Sequence, residues 1–334
     1  MNKNSRLGLW LVIPAWALAF AARTAQICAG TDMTTGFLKR DNGFFMDACF
    51  WLAVGVTLIA SIAAAVCDRK KGSALYTTEV SRVTDGRAGA IGFGLLLPAM
   101  GALYSGYAEA VIPEESNISP SPFMMIVNFL FGGIMLVSAF VILYKKEFRP
   151  GLGFSLTAGA AYYTLCGIGV FLDNMAVTTV PEHLINCLCM VAAAVFFMQL
   201  ASLLSGNEGK HTRGALAVSG AVSAVMILGS SLAVFASYLM GPAETASRIV
   251  TSKTQAEMLY QMSHGDHAYY MSLVPVQLTA AGVFIVMALV ALYMKPSDKP
   301  AETESAAEPA VDAVPEPAEQ AEPEMAEEND GAQD

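Results

Sequence analysis

Few residues in this chain are of a type that does chemistry in an apolar setting, and most of them cluster at the ends of apolar runs. The ionisable candidates are Arg23, Asp32, Asp47, Glu109, Asp173, Glu182 and His183. An ionisable side chain near membrane depth is costly and marks a functional hypothesis by default. The ordinary alternative is that these are helix-end charges whose long stems snorkel to the interface. Five of the seven are acids and Arg23 is the one fixed cation. Arg23 and Asp47 fall near the same end of two consecutive apolar runs, so the two are expected to pair. The polar turn between them, Gly30 to Gly43 with Asp32, Lys39, Arg40 and Asp41, either closes a small polar pocket with that pair or is a plain hairpin.

A second group is His264-Gly265-Asp266-His267, followed by Tyr269 and Tyr270. Imidazole and carboxylate suit zinc, but this spacing matches no strong zinc signature, and the tyrosines also fit an interfacial aromatic belt. No metal is therefore expected, and His264, Asp266 and His267 are only weak candidates. The six cysteines form no Cys-x-x-Cys pair. Cys28 and Cys49, at neighbouring ends of consecutive apolar runs, are the pair a disulfide would join, with inert buried thiols as the default. Phosphate-loop, zinc-protease and nucleophile-elbow signatures are absent from the sequence. The expectation is a non-catalytic protein without a cofactor.

These residues are positioned by an unusually apolar chain. Of 334 residues, 54% are apolar and 14% charged, against about 25% charged in soluble domains. A net charge of −10 also argues against a nucleic-acid partner, which needs a basic surface. Eight apolar runs reach the roughly 20 residues that span a bilayer: Leu7–Ile27, Phe44–Cys67, Ala88–Ile112, Pro122–Tyr144, Gly151–Phe171, His183–Leu204, Gly214–Met240 and Leu273–Met294. Hydrocarbon cannot satisfy backbone polar groups, so runs of this length are helices. The fold class is thus all-α, a multi-pass transmembrane domain over residues 1–295 in a cell membrane, with the lipid bilayer as its first partner. The seventh run is long and the richest in Gly, Ser and Ala.

Charge is unevenly distributed. Residues 296–334 hold 13 of the 29 acids and one base, Lys299. Their Ala, Glu and Pro repeats have no aromatic residue and cannot repay ordering entropy, which predicts a disordered acidic cytoplasmic tail, either a spacer or a dock for a basic protein partner. With the N-terminus inside, 14 Lys and Arg residues fall on cytoplasmic segments and five outside. That balance orients both termini to the cytoplasm. A competing reading treats the first run, which follows Lys3 and Arg6, as a cleaved signal peptide. Pro14, Trp10, Trp16 and continued apolarity to Ile27 favour a retained span. In the last outer loop, 241–272, the composition of Ala243–Met262 suits an interfacial helix.

Short words recur between the halves. Leu143-Tyr144-Lys145 closes the fourth run and Leu292-Tyr293-Met294-Lys295 the eighth, while Cys49 and Cys187 lie near the starts of the second and sixth. A parallel repeat of four plus four helices would follow, as in many transporters. Two functions are consistent with this pattern. One is a module that binds a ligand or a membrane or cytoplasmic protein partner through an outward-facing polar site. The other is a secondary transporter of a small solute. Polar residues confined to one side favour the first, because transporters place ionisable groups at mid-depth.

The topology is open to direct measurement. Alkaline-phosphatase fusions after Lys39 and Ser116 are expected to be active, and those after Arg87, Lys146 and Lys295 inactive. Activity at Arg87 or Lys295 would reverse the orientation.

Overall fold

The computed structural model describes residues 3–30, 38–40, 42–70, 85–110, 122–145, 150–173, 181–207, 211–240 and 273–293. Those residues are helical almost throughout: α1 (Lys3–Ala25), a π-helical turn (Gln26–Gly30), α2 (Gly43–Lys70), α3 (Asp85–Ala110), α4 (Pro122–Lys145), α5 (Pro150–Asp173), α6 (Pro181–Leu204), α7 (Thr212–Met240) and α8 (Leu273–Tyr293). Eight of these helices are long and apolar enough to cross a membrane, the make-up of a multi-pass integral membrane protein. The acidic tail and the Ala243–Met262 segment lie outside the described residues.

Local chemistry sets the helix ends. Pro122, Pro150 and Pro181 each open a helix, where the missing N–H costs nothing and φ is already helical. The turn after α6 closes on Gly206 at φ +79, with Ser205 N donating to Ala201 O at 2.9 Å. That left-handed position suits glycine. Between α1 and α2, Lys39 N donates to Gly30 O at 2.7 Å, and a Cβ on Gly43 would collide with the same carbonyl oxygen. Glycine at both positions lets the two backbones meet.

The helices pair as three antiparallel hairpins, α1–α2, α3–α4 and α5–α6, and α7 and α8 tie them together. Helix α7 packs on α1, α2, α6 and α8, and α8 carries the contact on to α3. Among the described residues α6 packs on α7, while α2 and α3 share no comparable interface. The expected four-plus-four repeat is not confirmed by this packing.

The span richest in small residues, α7, is the most buried of the eight. In lipid, apolar surface is satisfied by acyl chains, so helices associate through close van der Waals fit at small residues. Gly229 accordingly sits against Ala19 and Phe20 of α1, Gly220 against Leu289 and Gly282 against Leu228 at the α7–α8 seam. Large residues face outward in seven-residue stripes, such as Leu52, Ile59 and Val66 on α2 or Phe123, Leu130, Val137 and Tyr144 on α4. These stripes are the lipid-facing surface. All six cysteines are free thiols, so Cys28 and Cys49 are not bridged.

An aromatic stack fills the space among α4, α5, α6 and α8. Tyr162 and Tyr163 meet edge to face at 5.0 Å, Tyr163 lies 5.4 Å from Phe197, and Phe197 lies 5.1 Å from Phe284. Gly159 provides the room for this stack, because a Cβ there would strike the Phe197 ring. Gly159→Ala is expected to lower stability in detergent by about 1–3 kcal/mol through overpacking. Gly133→Ala, where a Cβ meets open space, should be neutral or stabilising. Equal unfolding midpoints for the two variants would contradict this account of the α5–α6 contact.

Candidate functional site

Arg23 stands in the last turn of α1, where a cation complements the helix dipole. It is 1% exposed, which is unusual for a guanidinium and requires hydrogen-bonded compensation. That compensation comes through Gln26, the first residue of the π turn. Arg23 Nη1 donates to Gln26 Oε1, and Gln26 Nε2 donates to Asp47 Oδ1 of α2 at 3.1 Å. A primary amide suits this place because it offers an acceptor to the cation and a donor to the carboxylate. Gln26 is itself fully buried, whereas Asp47 is half-buried.

The expected Arg23–Asp47 connection is therefore relayed by an amide between the two. Gln26 was missed among the sequence candidates, although its spacing of three from Arg23 places both on one helix face. The π turn adds a reason for interest, since such turns widen a helix locally and are frequent at functional sites. Here it carries Gln26 at its start and Gly30, the point of closest approach to α2, at its end.

Of the other candidates, the structure describes helix positions for four. Glu109 lies in the last turn of α3, Asp173 ends α5, and Glu182 and His183 lie in the first turn of α6. Their side chains lie outside the described residues, as do Asp32, His264, Asp266 and His267. Among the described residues no group of three His, Cys, Asp or Glu is placed to hold a metal ion.

Two further polar bridges span the bundle. Gln277 of α8 donates from Nε2 to Ser105 Oγ of α3 at 2.5 Å, and the Tyr162 hydroxyl of α5 donates to Asn128 Oδ1 of α4 at 3.0 Å. All four residues are buried. Three of them, Gln277, Ser105 and Asn128, lie toward the same end of the bundle as Arg23. Gly106 sits on Asn128 and Ser105 on Gln277. The antiparallel α7–α8 register brings Gln277 level with residues near Ala233, and Ile27 of α1 packs against Ala233 and Val234. The buried Arg, Gln, Asn and Ser side chains thus form one polar layer toward the α1–α2 turn end of the bundle. Tyr162 reaches that layer from mid-helix with its hydroxyl.

A thermodynamic cycle tests the relay. Arg23→Ala is expected to destabilise the protein in detergent, and Asp47→Ala to recover part of that loss by removing the stranded acid. The coupling should lie in the range of about 0.5–3 kcal/mol. Repeating the cycle in a Gln26→Leu background should abolish the coupling. Strict additivity in the Gln26 protein would reduce the pair to independent helix-end charges.

No family model, no curated protein and no solved structure matches this chain.

Proposed function

We propose that this integral membrane protein is a non-catalytic module that binds a ligand or a protein partner at the α1–α2 turn end, which the basic-residue balance assigns to the outside. The observation that carries this reading is the buried Arg23, linked through Gln26 on a π turn to a half-buried Asp47. A charge held at this depth costs several kcal/mol, and lipid-facing packing alone has no use for it. Asp47 retains exposure on the same network, so an external group approaching that end meets a carboxylate whose position is fixed from within. Asp32, Glu109, Asp173, Glu182 and His183 belong to this reading as expectations from the sequence, which sets them toward the same ends of the apolar runs.

The alternative is a secondary transporter of a small solute built from two parallel repeats. Its sequence support is the recurrence of short words between the halves, and the unequal pairing of those halves weighs against it.

The two readings separate in one pair of measurements. In proteoliposomes, counterflow across a panel of small charged and neutral solutes is expected to be absent. In a thermal-shift screen of the same panel, a ligand present at about 100 times its Kd stabilises the protein by roughly 2.7 kcal/mol, and Asp47→Asn should remove that shift. Sustained counterflow of any solute would replace the binding module by the transporter. A ligand shift unchanged in Asp47→Asn would move the site away from the relay.

A further inference from the structure

Hydroxyls inside this bundle mostly satisfy themselves. Thr57, Ser105, Ser138 and Ser237 each donate to the carbonyl four residues earlier, at 2.7–2.9 Å, the usual arrangement for hydroxyls in membrane helices. Ser231 of α7 and Thr279 of α8 depart from it. Ser231 is 1% exposed, and the Oγ1 of the half-buried Thr279 is also shielded. Neither oxygen has a hydrogen-bond partner among the described residues.

The α7–α8 register sets the two hydroxyls at one level of the bundle. Gly220 faces Leu289, and eight residues further along α7, Leu228 and Ile227 face Gly282. The helices are therefore antiparallel, and their register carries Ser231 to the level of Thr279. Ser231 follows Leu228 by three residues and Ile227 by four, which puts it on the α7 face toward the seam, and Thr279 precedes Gly282 by three, which puts it on the flank of α8 beside the seam. Gly282 is what lets the backbones approach here, since a Cβ would lie 2.6 Å from Leu228 Cδ2. Ser230, also without a partner, is turned about 100° around α7 and does not share this face.

We propose that Ser231 and Thr279 form a binding site for one water molecule in the α7–α8 seam, bridging the two hydroxyls. Each hydroxyl donates or accepts once to the water, and no charge is needed from a seam otherwise lined by Ile227, Leu228 and Gly282. Buried polar groups are satisfied by protein or by ordered water, and an internal water commonly joins two to four of them. The site lies within one turn of the Gln277–Ser105 bridge, which places it at the edge of the polar layer. It is separate from the Arg23–Gln26–Asp47 relay and stands independently of the binding role proposed for that relay.

The sign of a stability change tests it. Removing a hydroxyl that is truly dry relieves a desolvation cost and raises stability, whereas removing one that binds water strands its partner. Ser231→Ala and Thr279→Val are each expected to lower the Tm of the full chain in detergent by roughly 2–4 °C. The double variant should lose clearly less than the two losses combined, since one water serves both. A rise in Tm for either variant, or strict additivity, overturns the proposal. A second readout uses Thr279→Cys and Ala280→Cys in membranes treated with methanethiosulfonate-ethylammonium, with the label located by mass spectrometry. Ala280 is half-buried on the same helix, as Thr279 is, and packs on Gly101 of α3. Labelling at 279 at least ten-fold faster than at 280 is expected of a hydrated seam, and equal rates would count against it.

Discussion

Close approach of helix backbones is the constraint on which this structure depends. A lipid-embedded helix gains nothing by hiding apolar surface from a solvent that is itself apolar, so association must come from fit and from interhelical hydrogen bonds. Helix α7 meets that requirement with Gly220 and Gly229, and the facing Gly282 of α8 does the same from the other side. The three hairpins gather around it, and every later feature, including the depth at which polar side chains meet, follows from the registers these small residues permit. The large apolar residues take the opposite role and form the surface toward lipid.

Polar groups then decide where the fitted helices are also pinned. Arg23, Gln26 and Asp47 join α1 to α2, Gln277 and Ser105 join α8 to α3, and Asn128 and Tyr162 join α4 to α5. Each bridge crosses between helices, as befits groups with no water available in the surrounding hydrocarbon. Arg23, Gln277, Ser105 and Asn128 lie toward one end of the bundle, and Tyr162 reaches Asn128 from mid-helix. The aromatic stack of Tyr162, Tyr163, Phe197 and Phe284 fills the α5–α6–α8 junction, and Tyr162 belongs to both systems.

Much of the architecture was legible in run length and composition. All eight spans appear as helices, with ends shifted by a few residues: the first run continues to Gly30 through a π turn, and the third begins at Asp85 rather than Ala88. The seventh run, the richest in Gly, Ser and Ala, is the central helix, because in a membrane those residues create an interface. The candidate site was legible only in outline. Arg23 and Asp47 stood out by type and spacing, but an uncharged Gln26 carries no signal of its own among apolar neighbours. Gln277 and Ser105 were equally silent, since 172 residues separate them in the chain.

The sequence by itself determined that the chain forms apolar helices of bilayer length, because hydrocarbon leaves the backbone no other way to satisfy its hydrogen bonds. It also determined that ionisable groups sit toward the helix ends. Only the tertiary structure decided which helices touch, and so which polar groups meet. A run that is apolar on every face carries no periodic stripe to say which side packs, and partner choice falls to three-dimensional fit at glycine and alanine. For that reason the recurrent words of the two halves did not foretell equal packing, and the link from Arg23 to Asp47 through an amide emerged only when α1, its π turn and α2 were brought into register.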